Sequence, residues 1–316
     1  MRCPTLAELS PPPAGKTGWP WTVETPQLPP ARPDGSPWPR ISIVTPSYNQ
    51  GQFIEETIRS VLLQGYPDLE YIIIDGASTD QSVDIIKKYQ PWLTHWVSEK
   101  DRGQAHAINK GFARASGQIG AYLNSDDWYT LDTFSFVGHS FSSIHWDLLI
   151  GNPIPATVPS WRYLRRSWWK QRLNYPPRPF FVADSRYPYA ISQESTFWNL
   201  LSRGHLQFDE NLHCCLDVDW YCKIAPGAKI ALTGRQIGFY RHHPLNKSST
   251  MLETIRSEIS HISAHNKSFI LPYEEYENIH KGLGRQSIGI LSKSIRSRIE
   301  ECVIYCHPEL KYIHRD

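Results

Sequence analysis

Apolar positions in the first half of the chain fall into short runs that alternate with stretches of helical period. Ile41-Ser-Ile-Val-Thr45 is a β-branched run that stops at the polar turn Pro46-Ser-Tyr-Asn-Gln50. Ile54, Ile58, Val61 and Leu62 then recur at i, i+4, i+7 and i+8, the stripe of an amphipathic helix. Tyr71-Ile-Ile-Ile-Asp75 has no polar alternation, which suits a strand buried on both faces of a parallel sheet. Val83 and Ile86 open a second helix, His95-Trp-Val-Ser98 is a third strand, and Ile108, Phe112 and Ala115 mark one face of a further helix. A fourth apolar run begins at Ile119. This β-α-β-α-β-α-β order predicts an α/β fold with a Rossmann-like, mostly parallel sheet flanked by helices. Thr45, Asp75 and Asp126 then fall at the carboxyl ends of three strands, where open α/β sheets bind ligands.

The fourth run, Ile119-Gly-Ala-Tyr-Leu-Asn-Ser-Asp-Asp-Trp128, ends on two adjacent carboxylates. Two such groups repel and raise one pKa unless a cation lies between them. Hard divalent cations take carboxylate oxygens and keep positions open for substrate phosphates. A solvated turn rich in Asp is the alternative reading of the pair taken alone.

The ordered set of motifs resembles family 2 glycosyltransferases, which have the GT-A fold. It runs through Thr45-Pro-Ser-Tyr-Asn49, Asp75-Gly-Ala-Ser-Thr-Asp80, Ser98 to Gly111 and Leu123-Asn-Ser-Asp-Asp127. Weaker matches follow in Gln193 to Trp198, Leu216-Asp-Val-Asp-Trp220 and Tyr240-Arg-His-His-Pro244. The resemblance implies a nucleotide-sugar donor, usually a UDP-sugar, a Mn²⁺ or Mg²⁺ cofactor, and a glycan, lipid-linked or small glycoside acceptor. It puts Thr45, Pro46, Tyr48 and Asn49 in the loop that meets the nucleotide and Asp75 on the base. Arg102, Gly103 and Asn109 join the donor-facing set, although an ordinary turn accounts for the first two nearly as well. Asp126 comes near the ribose or sugar and Asp127 on the metal, with His243 close to diphosphate or metal. Asp217 matches the general base, and Asp219, two residues on, competes with it. Two departures stand out: Gly76 where a second acid is common, and Leu216 where Glu often precedes the base. They keep open a catalytically silent sugar-nucleotide or glycan binder; a nucleotidyltransferase is a further alternative. The Gln-x-x-Arg-Trp motif of processive synthases is missing, which favours single additions.

The residue types suit the chemistry independently. An attacking acceptor hydroxyl needs a carboxylate to take its proton, worth about 10²–10⁴-fold in rate. A metal offsets the charge that develops on the leaving diphosphate. One direct displacement inverts the anomeric centre.

Composition changes this picture little. The chain has 316 residues and a formal net charge of +2, which excludes a strongly basic nucleic-acid binder. Its six cysteines lack paired zinc spacing and read as free or structural thiols, including the helically spaced Cys302 and Cys306. No basic-then-apolar leader or long apolar span is present, so a cytoplasmic chain is expected, with peripheral contact at the inner membrane face allowed.

Residues 1–40, rich in Pro and Trp, predict an extended arm pinned by its tryptophans. The expected organisation is this arm, a glycosyltransferase domain over 41–250 (nucleotide half 41–130, acceptor half 131–250), and a helical extension over 251–316 that packs on the domain or forms a dimer contact. Gly15-Lys-Thr17 imitates a phosphate loop but lacks its earlier glycine and preceding strand. The basic-aromatic segment Trp161 to Arg172 reads as an amphipathic helix packed on the domain, an acceptor platform or a membrane-interface patch. His261 and His265 are i, i+4 without the glutamate of a zinc site and read as surface histidines; Lys247-Ser-Ser249 is a basic loop or a phosphate contact.

Overall fold

The structure, a computed structural model, describes residues 1–155, 181–183, 193–204, 206–225, 227–265, 270–272 and 303–305. The basic-aromatic segment at 161–172 and the Cys302–Cys306 pair lie outside them.

The predicted alternation is present: β1 (Ile41–Ser47), α1 (Ile54–Leu62), β2 (Leu69–Asp75), α2 (Ser82–Tyr89), β3 (His95–Ser98), α3 (Gln104–Phe112) and β4 (Ile119–Tyr122). Strands β3, β2, β1 and β4 lie side by side and parallel, with Ser47 beside Asp75 and Asp75 beside Ser98. Every residue of β1 and β2 is buried, as expected of strands covered on both faces.

The short β5 (Trp128–Tyr129) and α4 (Thr133–Ile144) lead into β6 (Leu148–Pro155), and β7 (Phe181–Ala183) precedes β8 (Thr196–Asn199). Strand β8 sits between β4 and β6, antiparallel to both. After α5 (Leu200–Arg203) and α6 (Leu216–Ile224) comes β9 (Lys229–Tyr240), parallel to β6. Helices α7 (Lys247–Thr250) and α8 (Leu252–His265) follow. Helix α8 (Leu252–His265) is the described helical part of the extension expected over 251–316. Of the later described residues, β10 (Ile270–Pro272) pairs with β7 and β11 (Val303–Tyr305) extends the main sheet along β9.

One antiparallel contact assembles the site. In β5, Trp128 and Tyr129 pair with Phe239 and Gly238 of β9. This register brings the acids just before β5 against the residues just after β9. Gly238 is required there, because a Cβ would come within 2.3 Å of the Glu194 carbonyl oxygen.

The amino-terminal arm is packed rather than loose. Trp21 and Trp38 are buried, and Trp19 Nε1 donates to the Tyr129 carbonyl at 2.7 Å. Arg59 of α1 is fully buried and donates to the carbonyls of Pro20 (3.0 Å), Ser10 (2.9 Å) and Trp21 (3.0 Å). Among the described residues, no helix is long and apolar enough to cross a membrane.

Candidate active site

The β1–α1 and β2–α2 loops are stitched together at the carboxyl edge of the sheet. Asn49, at φ 52°, donates its N–H to Ser78 Oγ (2.7 Å) and accepts from Thr79 N–H (2.9 Å) through its side chain. Gly51 N–H donates to Asp80 (2.8 Å). The Thr45 hydroxyl lies 3.1 Å from the Tyr71 hydroxyl inside the sheet, and Pro46 is buried, whereas Tyr48 is 61% exposed at the loop tip. Asp75 is fully buried. Its carboxylate accepts from Ser78 N–H (2.9 Å), Ser78 Oγ (2.6 Å) and Ser98 Oγ (2.6 Å). Of its roughly four acceptor sites, one remains for a ligand.

The geometry accounts for both departures noted in the sequence. A Cβ at Gly76 would sit 2.9 Å from Asp101 Oδ2, so that space already holds a carboxylate. Leu216 is buried in the core, where a charged side chain would lose its hydration.

The two aspartates face different ways. Asp126 Oδ2 lies 3.0 Å from His243 Nε2, and both side chains reach the surface only partly. His243 Nδ1 is buried without a hydrogen-bond partner, so the ring's polar contact is made through Nε2. Asp127 turns inward and is 6% exposed. It accepts from Arg241 N–H (2.9 Å) and from the Asn124 amide (3.3 Å). Burial, then the neighbouring Asp126, then Glu194 push its pKa well above the usual carboxylate range. The backbone beneath is held as well: Thr57 Oγ1 donates to the carbonyls of Ser125 (3.0 Å) and Asp127 (2.6 Å). Arg241 lies over the Phe53 and Trp128 rings, donates to the Asp126 carbonyl (3.0 Å) and pairs with Glu56 (2.7 Å).

Asp217 stands in the first turn of α6, half-buried. Burial raises its pKa to about 6, with a smaller push from Glu258 and an opposing pull from Lys247. Asp219 instead forms an ion pair with Lys223 one turn on, at 2.5 Å. The two carboxylates thus diverge, as i and i+2 positions on a helix must. Lys247 Nζ donates to Gln104 Oε1 and to the His213 carbonyl, each at 2.8 Å. Gln104 passes the contact to Asn124 (2.7 Å). Lys247 lies within electrostatic reach of both Asp126 and Asp217.

Three residues grouped with the donor from the sequence make other contacts. Asn109 holds the chain at Phe208, donating to its carbonyl (2.9 Å) and accepting its N–H (3.0 Å). Arg102 pairs with Glu210 at 2.5 Å and is largely exposed. Gly103, at φ 116°, precedes α3 and donates its N–H to Asp101 (2.9 Å). Conversely, Gln104, Asn124 and Glu194 belong to the site yet had no assigned role. All three lie inside the matching motifs, which was the available signal.

Comparison with known proteins places these features in a family. Residues 42–206, just over half of the chain, match the sequence profile of glycosyl transferase family 2. The putative teichuronic acid biosynthesis glycosyltransferase TuaG of Bacillus subtilis is 40% identical over 119 residues, 32% of this chain and 47% of TuaG. The poly(ribitol-phosphate) β-N-acetylglucosaminyltransferase TarS of Staphylococcus aureus is 28% identical over 35% of this chain and 20% of its own. The chain thus spans about half or less of the length of these curated relatives. In three dimensions it resembles TarS 1–349 in complex with UDP-GlcNAc, at a TM-score of 0.55 and 19% identity over 83% of this chain and 79% of that one. The mannosyltransferase PcManGT of Pyrobaculum calidifontis, in complex with GDP-Man and Mn²⁺, gives 0.52 and 18% over 93% and 71%. At these identities the structural likeness speaks for the fold, and the GT-A architecture is shared. With its motifs in order along such a sheet, the chain belongs to glycosyl transferase family 2.

Proposed function

We propose that this protein is an inverting, metal-dependent glycosyltransferase that moves a sugar from a UDP-sugar to a hydroxyl of a glycan, a lipid-linked sugar or a small glycoside. The observation that carries the reading is that Lys247 lies within electrostatic reach of two carboxylates of different character. Asp126 is paired with an imidazole, and Asp217 is largely desolvated.

The donor side suits a divalent cation. One carboxylate oxygen of Asp126 and Nε2 of His243 form an oxygen–nitrogen pair of the kind that takes Mn²⁺ or Mg²⁺. Asp126 and Glu194 both lie near enough to act on Asp127, a repulsion that a positive charge would ease. We favour Asp126 with His243 over the sequence expectation of Asp127, because Asp127 is 6% exposed and tied to the Arg241 N–H and the Asn124 amide, whereas the Asp126 and His243 side chains reach the surface in part. When bound, such a metal would supply Lewis-acid stabilisation of the diphosphate.

The chain's own residues would do the rest. Tyr48, exposed at its loop, would stack on a base, and Asp75 would offer its remaining acceptor site to an imide N–H. Asp217, ionised above about pH 6, takes the proton of the attacking hydroxyl as its oxygen bonds the anomeric carbon on one face and the carbon–oxygen bond to the diphosphate breaks on the other, releasing the nucleoside diphosphate.

The test is release of nucleoside diphosphate from a panel of UDP- and GDP-sugars, with and without Mn²⁺, compared with Asp217→Asn. Metal-dependent release from a UDP-sugar that the variant loses, while still binding UDP, supports the reading. No release from any donor, with UDP still bound, would leave a silent binder in its place.

A further inference from the structure

We infer that Glu258, on helix α8, is a positioning residue for Asp217, so that the chain beyond residue 250 completes the acceptor side of the site. This rests on the assignment of Asp217 as the base. Three consecutive backbone N–H groups point into one carboxylate. His213 N donates to Glu258 Oε1 (2.7 Å), and Cys214 N (3.0 Å) and Cys215 N (2.8 Å) donate to Oε2. Glu258 is 9% exposed, so these bonds are made largely away from water.

The turn they fix is the one that launches α6. Cys215 is the residue before its first turn, and Asp217 lies in that turn. The same turn is held from its carbonyl side by Lys247, which donates to the His213 oxygen (2.8 Å). Cys215 Sγ donates to the Ile255 carbonyl, and Cys214 Sγ lies 3.7 Å from Met251 Sδ. Every one of these partners belongs to α7, α8 or the residue between them. A carboxylate that binds three main-chain amides sets the direction in which α6 starts, and so the direction of Asp217.

Charge adds a second consequence. Burial acts most on Asp217, then the backbone N–H groups of Val218 and of Asp217 itself; the charged side chains that act on it are Glu258 from α8 and Lys247 from α7, and Tyr122 of β4, Tyr221 of α6 and Cys214 of the turn feel it in return. Of these, Glu258 is the anion that raises the Asp217 pKa, and Lys247 is the cation that lowers it. The two residues that hold the turn therefore tune the base in opposite directions.

Glu258→Gln is the informative substitution. An amide cannot accept on both sides, so its NH₂ must confront either the His213 N–H or the pair at Cys214 and Cys215. Two readouts are needed on the full chain. Amide hydrogen exchange at 213–215 reports the turn without any activity. Turnover against pH, with the donor from the panel that wild type cleaves best, reports the base. The expected result is exchange faster by at least about tenfold at those amides and kcat lower by about 10–100-fold, as for a misplaced catalytic group, with KM for the donor little changed. The acid limb of the profile should move to lower pH, and in Lys247→Met to higher pH. Unchanged exchange, or limbs that move the same way in both variants, would overturn the inference. A wild type without an acid limb that Asp217→Asn abolishes would instead count against the base assignment, and the exchange result would still decide whether Glu258 holds the turn. Should Glu258→Gln fold poorly, Glu258→Asp keeps the charge but retracts the carboxylate. It should then keep the wild-type limb while losing amide protection, and a limb shifted as far as in Lys247→Met would overturn the inference.

Discussion

At the scale of single residues, the adjacent aspartates show how little adjacency says about role. Asp126 presents an oxygen to His243, whereas Asp127 is spent on the Arg241 N–H and Asn124. Asp126→Asn should therefore abolish most of the Mn²⁺-dependent gain in UDP affinity. Asp127→Asn, which keeps an acceptor for Arg241, should cost less. Calorimetric titration with UDP, with and without Mn²⁺, compares them, and an equal loss in both would return the metal to the pair as a unit. Asp217→Asn should lower turnover about 10²–10⁴-fold with UDP affinity kept. Its stability effect has a definite sign. A carboxyl whose folded pKa is raised to about 6 from 3.8 costs the fold nothing when protonated below the lower value, and most once ionised above the upper one. Asp217→Asn should thus raise the melting temperature at about pH 8, by the equivalent of roughly 1–2 kcal/mol after allowance for partial exposure, with the gain gone near pH 4. A destabilised variant at the higher pH would show that the carboxylate is not strained by burial. Asp219→Asn breaks only the Lys223 pair and should leave turnover near that of wild type.

Whole elements were easier to read than their partners. Strands β1 and β2 stand where the apolar runs from Ile41 and Tyr71 predict them, because full burial on both faces leaves a local mark in sequence, and the half-buried β3 follows at His95–Ser98. The roles of Asn109 and Arg102 left no such mark, since Phe208 and Glu210 come to them only through the tertiary fold. The same holds for Glu258, whose three amide partners lie more than 40 residues upstream. In the arm, proline spacing announces irregular chain, while its hydrogen-bond donor, Arg59, lies in α1 beside an ordinary apolar stripe. Arg59→Met should leave the Ser10, Pro20 and Trp21 carbonyls without their donor. At 1–3 kcal/mol for each unsatisfied buried group, a loss of about 3 kcal/mol or more is expected by urea unfolding. A loss below about 1 kcal/mol would mean that water replaces the guanidinium there.

For the molecule as a whole, the division expected at residue 250 is not expected to behave as a folding boundary. Ile255 and Ile262 of α8 are buried in the same core as Cys215, Val218 and Ile224. A chain ending at Thr250 should therefore lose its cooperative thermal transition and become poorly soluble; a sharp transition within a few degrees of the full chain would restore the boundary. A different property follows from how the acid hairpin is held. Thr57 grips the carbonyls of Ser125 and Asp127, Trp19 that of Tyr129, and Arg241 that of Asp126. These grips are on main-chain oxygens, which every amino acid supplies alike. The frame therefore does not depend on what side chain stands at 126. Ligand preference at this edge can drift by substitution while the scaffold stays intact, so a descendant of this chain could change what it binds at 126 without first having to refold.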